Sequence, residues 1–470
     1  MLSDATLGII QLLLFVGFIM LGFPIAFTLM AMGVFFGYLG MQERVFDLVV
    51  QRTYAVMSND VLISVPLFVF MGYIIERSNI LDRLFRSLQL ASGFLPASLA
   101  VATMITCSIF GIASGIVGAV VTLMGLLALP PMLRAGYDPK LAAGCIAAGG
   151  TLGILIPPSV MLILYGATTG TSVVKLYAAA FIPGFVLTAA YIAYLIGVGI
   201  LQPHRAPRLP PEERNVPLRI ILWELLVGFV PLTVLTVVVL AVIILGIMTP
   251  TESAAAGVVG ALMLAILYRS FSWKSFKEST YLTARTTAMV CWLFVGSAVF
   301  SSVFGYLGGQ SVIEEGVKSL GLNQFGFLIM AQVIIFILGW PLEWTEIIVI
   351  FVPIFLPMLD DFGIDPVFFG VIVGLNLQTS FLSPPVAMAA FYLKGVAPPQ
   401  VTLEDIFKGC MPYIYIVLVT MVLVYAFPGL VTWLPEYLYG GDHGPPAVSM
   451  EGPPVGGFTE EEMPELPPLR

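Results

Sequence analysis

Twelve stretches of apolar residues follow one another along the chain, separated by short polar segments or by segments rich in Pro and Gly. About 20 consecutive apolar residues are enough for a helix to cross the hydrocarbon core of a membrane. Lipid offers no partner to backbone N–H and C=O groups, so spanning segments of this kind are helical. The pattern predicts an all-α polytopic membrane protein with apolar stretches at about 6–22, 25–40, 60–76, 95–133, 141–165, 176–200, 220–246, 252–268, 286–308, 325–359, 366–393 and 411–435.

Two of these stretches, 95–133 and 325–359, are nearly twice as long as one span requires, yet neither has a charged loop in its middle. The first is interrupted at Phe110–Gly115 and the second at Gly339–Thr345. Each stretch is therefore either two full spans with a tight turn or a re-entrant hairpin. A hairpin tip inside the membrane is permitted where its irregular backbone lines a cavity in the protein. We call the two stretches hairpin 1 and hairpin 2.

Prolines recur in the same order in the two halves of the chain, at a spacing of 226 or 227 residues. Such matching predicts two repeats that are rich in Pro and Gly, which is typical of secondary transporters. We assign residues 1–200 to the first repeat, with hairpin 1 and a broken helix at 141–165. Residues 220–435 form the second repeat, with hairpin 2 and a broken helix at 366–393. Residues 201–219 form a linker and residues 436–470 a disordered tail rich in Pro and Glu. The matching positions are Pro24 and Pro250, Pro131-Met132-Leu133 and Pro357-Met358-Leu359, Asp138-Pro139 and Asp365-Pro366, and Pro157-Pro158 and Pro384-Pro385.

The distribution of Lys and Arg favours one topology. If the chain is split into two helices near Gly22-Phe23-Pro24 and near Met248-Thr249-Pro250, and both hairpins are re-entrant, 15 basic residues lie on one face and 5 on the other. Without the splits the distribution is 9 against 11. The positive-inside rule favours the split arrangement, with a cytoplasmic linker and both termini outside. Each half then has five spans plus one hairpin, and because five is odd the two repeats are inverted. Two full spans in place of each hairpin would leave this parity unchanged.

The composition excludes several classes of function. Apolar residues make up 59% of the chain and charged residues 10%, with a mean hydropathy of +1.00 and a net charge of −8, whereas soluble domains carry about 25% charged residues. The bilayer is thus the surrounding medium, and nothing points to nucleic acid. No Walker sequence, Cys/His metal cluster or nucleophile–base set is present, so we expect neither an ATPase nor another enzyme. The four cysteines lack disulfide spacing and are expected to be packing residues.

The candidate chemistry lies in two segments, Gly149–Pro158 and Asn376–Pro385, each of which ends in a Pro-Pro pair. Such a pair removes two backbone donors and disfavours helix in the preceding residue. Both helices should therefore unwind, exposing carbonyl oxygens that suit Na⁺ and a helix N-terminus that suits an anion. The alternative is a kinked helix packed through small residues, because Gly149 and Gly153 fit the small-xxx-small pattern.

Acidic and aromatic residues near these segments have simpler explanations than ion binding. Glu252 follows Thr249-Pro250-Thr251 and is expected to cap a helix. Of Glu343 and Glu346, which flank the tip of hairpin 2, one would face water and one would cap the returning helix. Trp340 and Trp344 are either interfacial anchors or part of a pocket.

Four motifs together resemble the large membrane subunit of a tripartite ATP-independent periplasmic (TRAP) transporter, and the resemblance covers about residues 5–435. It implies a bacterial or archaeal inner-membrane protein that imports organic acids with Na⁺ by an elevator-type motion. It also implies two partners, a small four-helix membrane subunit and a soluble periplasmic substrate-binding protein. The motifs are Gly150-Thr151-Leu152-Gly153 leading into Ile156-Pro157-Pro158-Ser159, Met248-Thr249-Pro250-Thr251-Glu252, Leu129-Pro130-Pro131-Met132-Leu133 with Gly136-Tyr137, and Asn376-Leu377-Gln378-Thr379-Ser380 before Pro384-Pro385.

The same resemblance implies two Na⁺ sites with substrate between them, and no cofactor apart from the coupling ion. Many family members have a serine at the position of Ile116, so one hydroxyl ligand of the first site is absent here. The first Na⁺ site would use Ser114, Gly115, Gly149, Gly150, Thr151 and Pro157. The second would use Trp340, Thr345, Asn376, Thr379 and Pro384, and the substrate would contact Ser114, Thr151, Thr345, Gln378 and Ser380.

Two other classes remain open from the sequence. A stand-alone ion-coupled carboxylate carrier would share inverted repeats and hairpins but would need no binding protein. A channel or a membrane scaffold needs no paired broken helices, and saturable Na⁺-dependent uptake would exclude both. If the tripartite interpretation holds, we expect the binding protein to dock near hairpin 2, where the loops 309–324 and 360–366 are net acidic.

Overall fold

The computed structural model describes residues 3–78, 80–208, 216–385 and 387–440, and all regular elements in these ranges are helices. The elements are α1 (Asp4–Met20), α2 (Ile25–Met41), α3 (Arg44–Met57), α4 (Asp60–Glu76), α5 (Ile80–Ala91), α6 (Ser98–Ser114), α7 (Val117–Leu127), α8 (Leu129–Arg134), α9 (Pro139–Thr151), α10 (Val160–Thr169), α11 (Val173–Leu201), α12 (Leu218–Glu224), α13 (Val230–Ile244), α14 (Pro250–Leu267), α15 (Trp273–Tyr306), α16 (Gly309–Ser319), α17 (Gln324–Leu338), α18 (Trp344–Glu346), α19 (Val352–Asp361), α20 (Pro366–Leu382), α21 (Met388–Val396), α22 (Leu403–Ala426) and α23 (Gly429–Tyr439). A 3₁₀ turn at Leu152–Ile154 and π-helical stretches at Leu225–Phe229 and Ile347–Phe351 complete them.

The order of helices in the first half recurs in the second. The first limb of hairpin 1, α6, starts 226 residues before α17, the first limb of hairpin 2. The helices α9 and α20 start 227 residues apart, and both begin at an Asp-Pro pair. In both, the aspartate is the N-cap: Asp138 accepts a hydrogen bond from the N–H of Lys140 at 3.0 Å, and Asp365 accepts one from Val367 at 3.0 Å. The recurring Asp-Pro motif is thus a helix start with proline at the first position, where its missing N–H is not needed.

Several apolar stretches are divided into shorter helices. By length and composition, six helical segments of the described residues can cross a membrane, or seven if α3 and α4, which meet at a bend of 54°, form one span. Six further apolar helices have 10 to 17 residues, including α1, α2, α6, α17 and α20. The structure separates α1 from α2 at residues 21–24, where Gly22 adopts φ +87°, so the predicted split near Pro24 is present. The structure has fewer long helices than the ten spans expected, because turns and proline pairs divide the remaining apolar stretches into shorter helices.

The two halves differ from each other and from the sequence-based boundaries in two places. In the first half α3 and α4 are separate helices, whereas α15 is a single helix of 34 residues at the corresponding place. At the C-terminus, α23 continues to Tyr439, so residues 436–439, which we had assigned to the tail, belong to this helix. The rest of the tail, 441–470, and positions 209–215 of the linker lie outside the described residues.

Helices of one half pack closely on helices of the other. The closest backbone contact joins α9 and α22, where a Cβ added to Gly144 would lie 2.0 Å from the carbonyl oxygen of Gly409. In the same way α2 packs along α15 and α4 along α14. Small residues allow such close helix contacts inside a membrane, where burial of apolar surface alone gives little preference for one partner. The core is therefore continuous across the two halves.

Candidate functional site

Hairpin 1 turns at Ser114-Gly115-Ile116, between α6 and α7. Gly115 ends α6 in the left-handed conformation, at φ +62°, and its N–H donates to the carbonyl oxygen of Gly111 at 2.8 Å. Only glycine adopts this conformation without cost, so the tip is a glycine-terminated helix end. Ser114 is 1% exposed, and its Oγ accepts a hydrogen bond from the N–H of Ile116 at 3.5 Å.

The predicted break after α9 is confirmed. The α-helix ends at Thr151, a 3₁₀ turn follows, and α10 begins at Val160. Ser159 holds the two parts together, since its hydroxyl donates to the carbonyl of Ile154 and also accepts from the N–H of Leu162 at 3.5 Å. The pair Pro157-Pro158 lies inside this break and is buried. The broken segment is thus ordered by local hydrogen bonds.

The tip of hairpin 1 lies directly against this break. A Cβ added to Gly153 would lie 2.7 Å from the Cα of Gly111, and a Cβ added to Gly115 would lie 3.1 Å from Cγ2 of Val160. On its other side the tip contacts α4, because a Cβ on Gly72 would approach the Cα of Ser114 to 2.7 Å. The hairpin tip, the break and α4 therefore meet through backbone atoms.

The second half repeats this arrangement. The helix α20 ends at Leu382 and α21 begins at Met388, so the break predicted at Pro384-Pro385 is also confirmed. The last residue before the tip of hairpin 2 is Gly339, where an added Cβ would lie 1.9 Å from Oγ and 2.7 Å from Cβ of Ser380. Ser380 stands 227 residues after Gly153, so the limb of each hairpin contacts the same position of its broken helix. Unlike the first pair, Pro384 and Pro385 are exposed.

A buried polar network fixes α20 to hairpin 2. The Nδ2 of Asn376 donates to the carbonyl oxygen of Gln332 at 2.7 Å and to its Oε1 at 2.9 Å. Thr379 Oγ1 donates to the carbonyl oxygen of Asn376 at 2.6 Å. Asn376 and Thr379 are 1% and 0% exposed, and the donors of both side chains have acceptors, whereas Nε2 of Gln332 has no partner within the described residues.

Three buried oxygens beside this network have no hydrogen-bond partner within the described residues: Gln378 Oε1, Ser380 Oγ and Ser383 Oγ. An unsatisfied buried polar atom costs about 1–3 kcal/mol. Uncharged oxygens at an unwound helix are the ligands that transporters use for Na⁺. The residues at the second break therefore fit a Na⁺ ion.

The acidic residues of the tip and of the split stabilise helix starts. Glu346 Oε2 accepts a hydrogen bond from the N–H of Glu343 at 2.5 Å, which confirms a cap on the returning limb. Glu252 accepts from the N–H and the hydroxyl of Thr249 at 2.8 and 2.9 Å, and its own N–H donates to Thr249 Oγ1, which confirms the predicted capping role.

The remaining predicted residues fall into two groups. Gly149 and Gly150 lie in the last turns of α9, where an added Cβ would meet Cys107 at 2.9 Å and Val121 of α7 at 2.3 Å. Thr151 is buried and donates to the carbonyl of its own helix at Ala148, 2.9 Å away. At hairpin 2, Thr345 is buried on the returning limb, whereas Trp340 is 39% exposed and packs edge-on against Phe336.

Sequence reasoning missed the residues that hold the site from outside the motifs. Gln332 of α17 receives Asn376, and Ser297 of α15 donates its hydroxyl to the carbonyl oxygen of Val349 at 2.6 Å. That carbonyl lies in the π-helical stretch of hairpin 2, where the regular helical bond is displaced. Gly72 of α4 was missed as well. Gln332, Ser297 and Gly72 are each a polar or small residue in the middle of an apolar stretch, and this was the only sign of them in the sequence.

Comparison with known proteins agrees with this geometry. A profile of the family described as "Tripartite ATP-independent periplasmic transporter, DctM component" matches residues 12–430. The chain is 30% identical over 379 residues to the C4-dicarboxylate TRAP transporter large permease protein DctM of Pseudomonas aeruginosa, covering 80% of this chain and 86% of that protein. It is 30% identical to the ectoine/5-hydroxyectoine TRAP transporter large permease protein UehC of Ruegeria pomeroyi, with 90% and 97% covered. The sialic acid TRAP transporter large permease protein SiaM of Vibrio cholerae is 27% identical, with 90% and 97% covered.

The fold is similar to that of a solved transporter. The YdaH transporter of Alcanivorax borkumensis superposes with a TM-score of 0.62 at 16% identity, covering 90% of this chain and 99% of that chain. The relatives by sequence are transport permeases and not enzymes. We conclude that the chain is a multi-pass inner-membrane protein and belongs to the DctM-component family of tripartite ATP-independent periplasmic transporters, as the large membrane subunit.

Proposed function

We propose that this subunit imports an organic acid by Na⁺ symport and receives its cargo from a periplasmic binding protein. The observation that carries the proposal is the duplicated contact between a hairpin limb and a broken helix, at Gly111–Gly153 and at Gly339–Ser380. Two uncharged, oxygen-lined breaks of this kind suit two Na⁺ ions, with the substrate between them. The named substrates of the relatives, which include C4-dicarboxylates and sialic acid, support an organic acid as the cargo.

The motion we propose is of the elevator type, with inverted repeats and re-entrant hairpins. Each hairpin contacts the broken helix of its own half, while α7 of hairpin 1 packs on α21 of the other half. The two broken helices also pack directly on each other, through α9 and α20. Hairpins and broken helices therefore share enough packing to move as one body against α2, α14 and the long helix α15.

The partners we propose are a small four-helix membrane subunit and the binding protein, which docks beside hairpin 2. Lys318 of α16 supports a single docking face, because it pairs with Glu314 at 2.6 Å and with Asp361, at the end of hairpin 2, at 2.9 Å. The hydrogen bonds that Lys318 donates to these two carboxylates raise its pKa, so Lys318 stays charged at neutral pH. Exposed charges of this kind steer association more than they hold a complex, so higher salt should slow docking.

The test is uptake into proteoliposomes that contain this chain and the small subunit. We expect uptake to need both a Na⁺ gradient and the loaded binding protein. Ser114→Ala and Thr345→Ala should raise the Na⁺ concentration for half-maximal uptake, whereas Thr280→Ala, on the exposed surface of α15, should not. Unchanged Na⁺ dependence in both site variants would refute the coupling sites. Uptake by the membrane subunits without a binding protein would instead favour a stand-alone carrier.

A further inference from the structure

A polar crevice lies between hairpin 2 and the helices that flank it, away from the residues assigned to the Na⁺ sites. Its volume is about 520 Å³, which is within the range of small-molecule pockets. One wall is formed by α3, α4, α15 and α16, and the other by the end of α10 and the returning limb of hairpin 2, at Val349 and Pro353. The polar side chains that line it include Arg52, Asn59, Thr168, Ser301, Ser302 and Gln310.

The crevice carries one positive charge and no negative charge. Among the described residues that line the crevice, Arg52 is the only charged one and none is an aspartate or a glutamate. None of the ion pairs among the described residues involves Arg52. An arginine that forms no ion pair attracts anions, and its planar fork matches a carboxylate with two parallel hydrogen bonds.

The other polar groups add hydrogen-bond donors. Within the described residues, no hydrogen bond uses the guanidinium of Arg52, the amide of Gln310 or the hydroxyl of Ser301. The Oδ1 of Asn59 accepts a hydrogen bond from the N–H of Val61 at 3.0 Å, which leaves the Nδ2 of Asn59 free to donate. Ser302 and Thr168 differ, because their hydroxyls already donate to the carbonyl oxygens of Ala298 and Leu164. The donors that remain free suit a ligand that is rich in acceptor oxygens.

The position of the crevice connects it to transport. It is closed on one side by hairpin 2, which α15 holds through the hydrogen bond from Ser297 to Val349. In the charge-based topology Arg52 lies on the non-cytoplasmic face, as does the loop at 309–324. An anion delivered from outside would thus meet Arg52 before it reaches the tip of hairpin 2.

We propose that this crevice, which we call the Arg52 crevice, is an outward-facing entry site for the carboxylate of the organic acid. The identity of the anion rests on the proposed function, whereas the site itself rests on the lining residues. Arg52 and the donors around it hold the carboxylate between release from the binding protein and capture beside hairpin 2.

The test uses charge-selective labelling and does not require transport. Ser301→Cys is introduced with Cys291 replaced by Ser, because the other three cysteines are buried. The complex with the small subunit is labelled in intact cells with two impermeant methanethiosulfonates, one carrying a sulfonate and one a trimethylammonium group. We expect Arg52→Ala to lower the ratio of sulfonate to ammonium labelling by about tenfold, since one charge acts in opposite directions on the two reagents.

Two variants serve as controls. Arg44→Ala removes the same charge from the exposed start of the same helix and should leave the ratio within about twofold, because charges beyond a Debye length are screened. Arg52→Lys should keep the ratio, since the charge remains. Protection is then measured with succinate, N-acetylneuraminate and ectoine, and at least one should slow labelling in the Arg52 protein but not in Arg52→Lys, which lacks the planar fork.

Each outcome decides the proposal. The proposal would be overturned if the ratio of sulfonate to ammonium labelling were the same in Arg52→Ala as in the Arg52 protein. It would also be overturned if a cysteine at position 301 reacted only in inside-out vesicles. Charge selectivity without protection by any of the three compounds would reduce the crevice to a general anion-attracting surface, which also overturns a carboxylate site. If labelling is charge-selective and a compound protects the cysteine, but uptake does not need Na⁺, the Arg52 crevice is supported and the proposed Na⁺ coupling is refuted.

Discussion

Replacing Gly153 by alanine tests whether the backbone contact between α6 and the break of α9 sets the geometry of the first Na⁺ site that we propose. The new Cβ would lie 2.7 Å from both the Cα and the carbonyl oxygen of Gly111, whereas ordinary contacts begin at 3.4 Å. Because both partners are backbone atoms, the two segments must separate by about 0.7 Å. Overpacking of this kind costs about 1–3 kcal/mol, and it moves the carbonyl oxygens of the break relative to the hairpin tip.

The assay is the thermal stability of the purified protein as a function of Na⁺ at constant ionic strength, with K⁺ as the replacement. A ligand that binds only the folded state stabilises it by RT ln(1 + [L]/Kd), so a tenfold loss of Na⁺ affinity removes about 1.4 kcal/mol at high Na⁺. We expect Gly153→Ala to lower the melting temperature in K⁺ and to shift the Na⁺ dependence to higher concentrations by about tenfold.

The matched control is Gly197→Ala in α11, where nothing lies within 4 Å of the added Cβ. Alanine is the better helix former at such a site, so this variant should be neutral or slightly stabilised. A Gly153→Ala protein that melts like the control and keeps its Na⁺ dependence would refute the reasoning.

Two further outcomes follow from the structure and a third from the distribution of Lys and Arg along the chain. Asn376→Ala should destabilise the protein by about 1–3 kcal/mol, because buried acceptors lose their donor; a melting temperature equal to the parent's would contradict the polar network. Gly144→Ala should lower the yield of folded protein more than Gly153→Ala does, since its Cβ would lie 2.0 Å from the carbonyl oxygen of Gly409, and normal yield would contradict that contact. A cysteine at position 210 should react with a membrane-impermeant reagent only after lysis, and one at position 450 in intact cells; the reverse pattern would reject the charge-based topology.

The sequence predicted the parts of the fold that depend on local chemistry. Proline and glycine act on the residues beside them, so the split near Pro24, both Pro-Pro breaks and the cap at Glu252 could be read from the chain. Helix α3 was not predicted, because Arg44, Asp47 and Arg52 kept residues 44–57 out of the apolar stretches. The end of α23 was misjudged because Pro435 stands within that helix and resembles the start of the tail.

The sequence located the two helix breaks but not the residues that contact them from other helices. Asn376 and Thr379 could be chosen because they sit in a repeated motif, but the acceptor of Asn376 is Gln332, 44 residues away on hairpin 2. Gly72 and Ser297 likewise act through contacts that no spacing reveals. The Arg52 crevice was missed for the same reason, because its lining comes from six separate elements.

The contact between Gly144 and Gly409 has a consequence for how the protein is made. The partner of Gly144 is synthesised 265 residues later, which at about 5–20 residues per second is a delay of roughly 13–50 seconds. During that interval the newly inserted first half exposes its small-residue helix face to lipid and to other nascent chains. A first half expressed alone should therefore be short-lived in a pulse-chase experiment and should be rescued by co-expression of the second half. Equal lifetimes with and without the second half would show that the first half completes its packing alone.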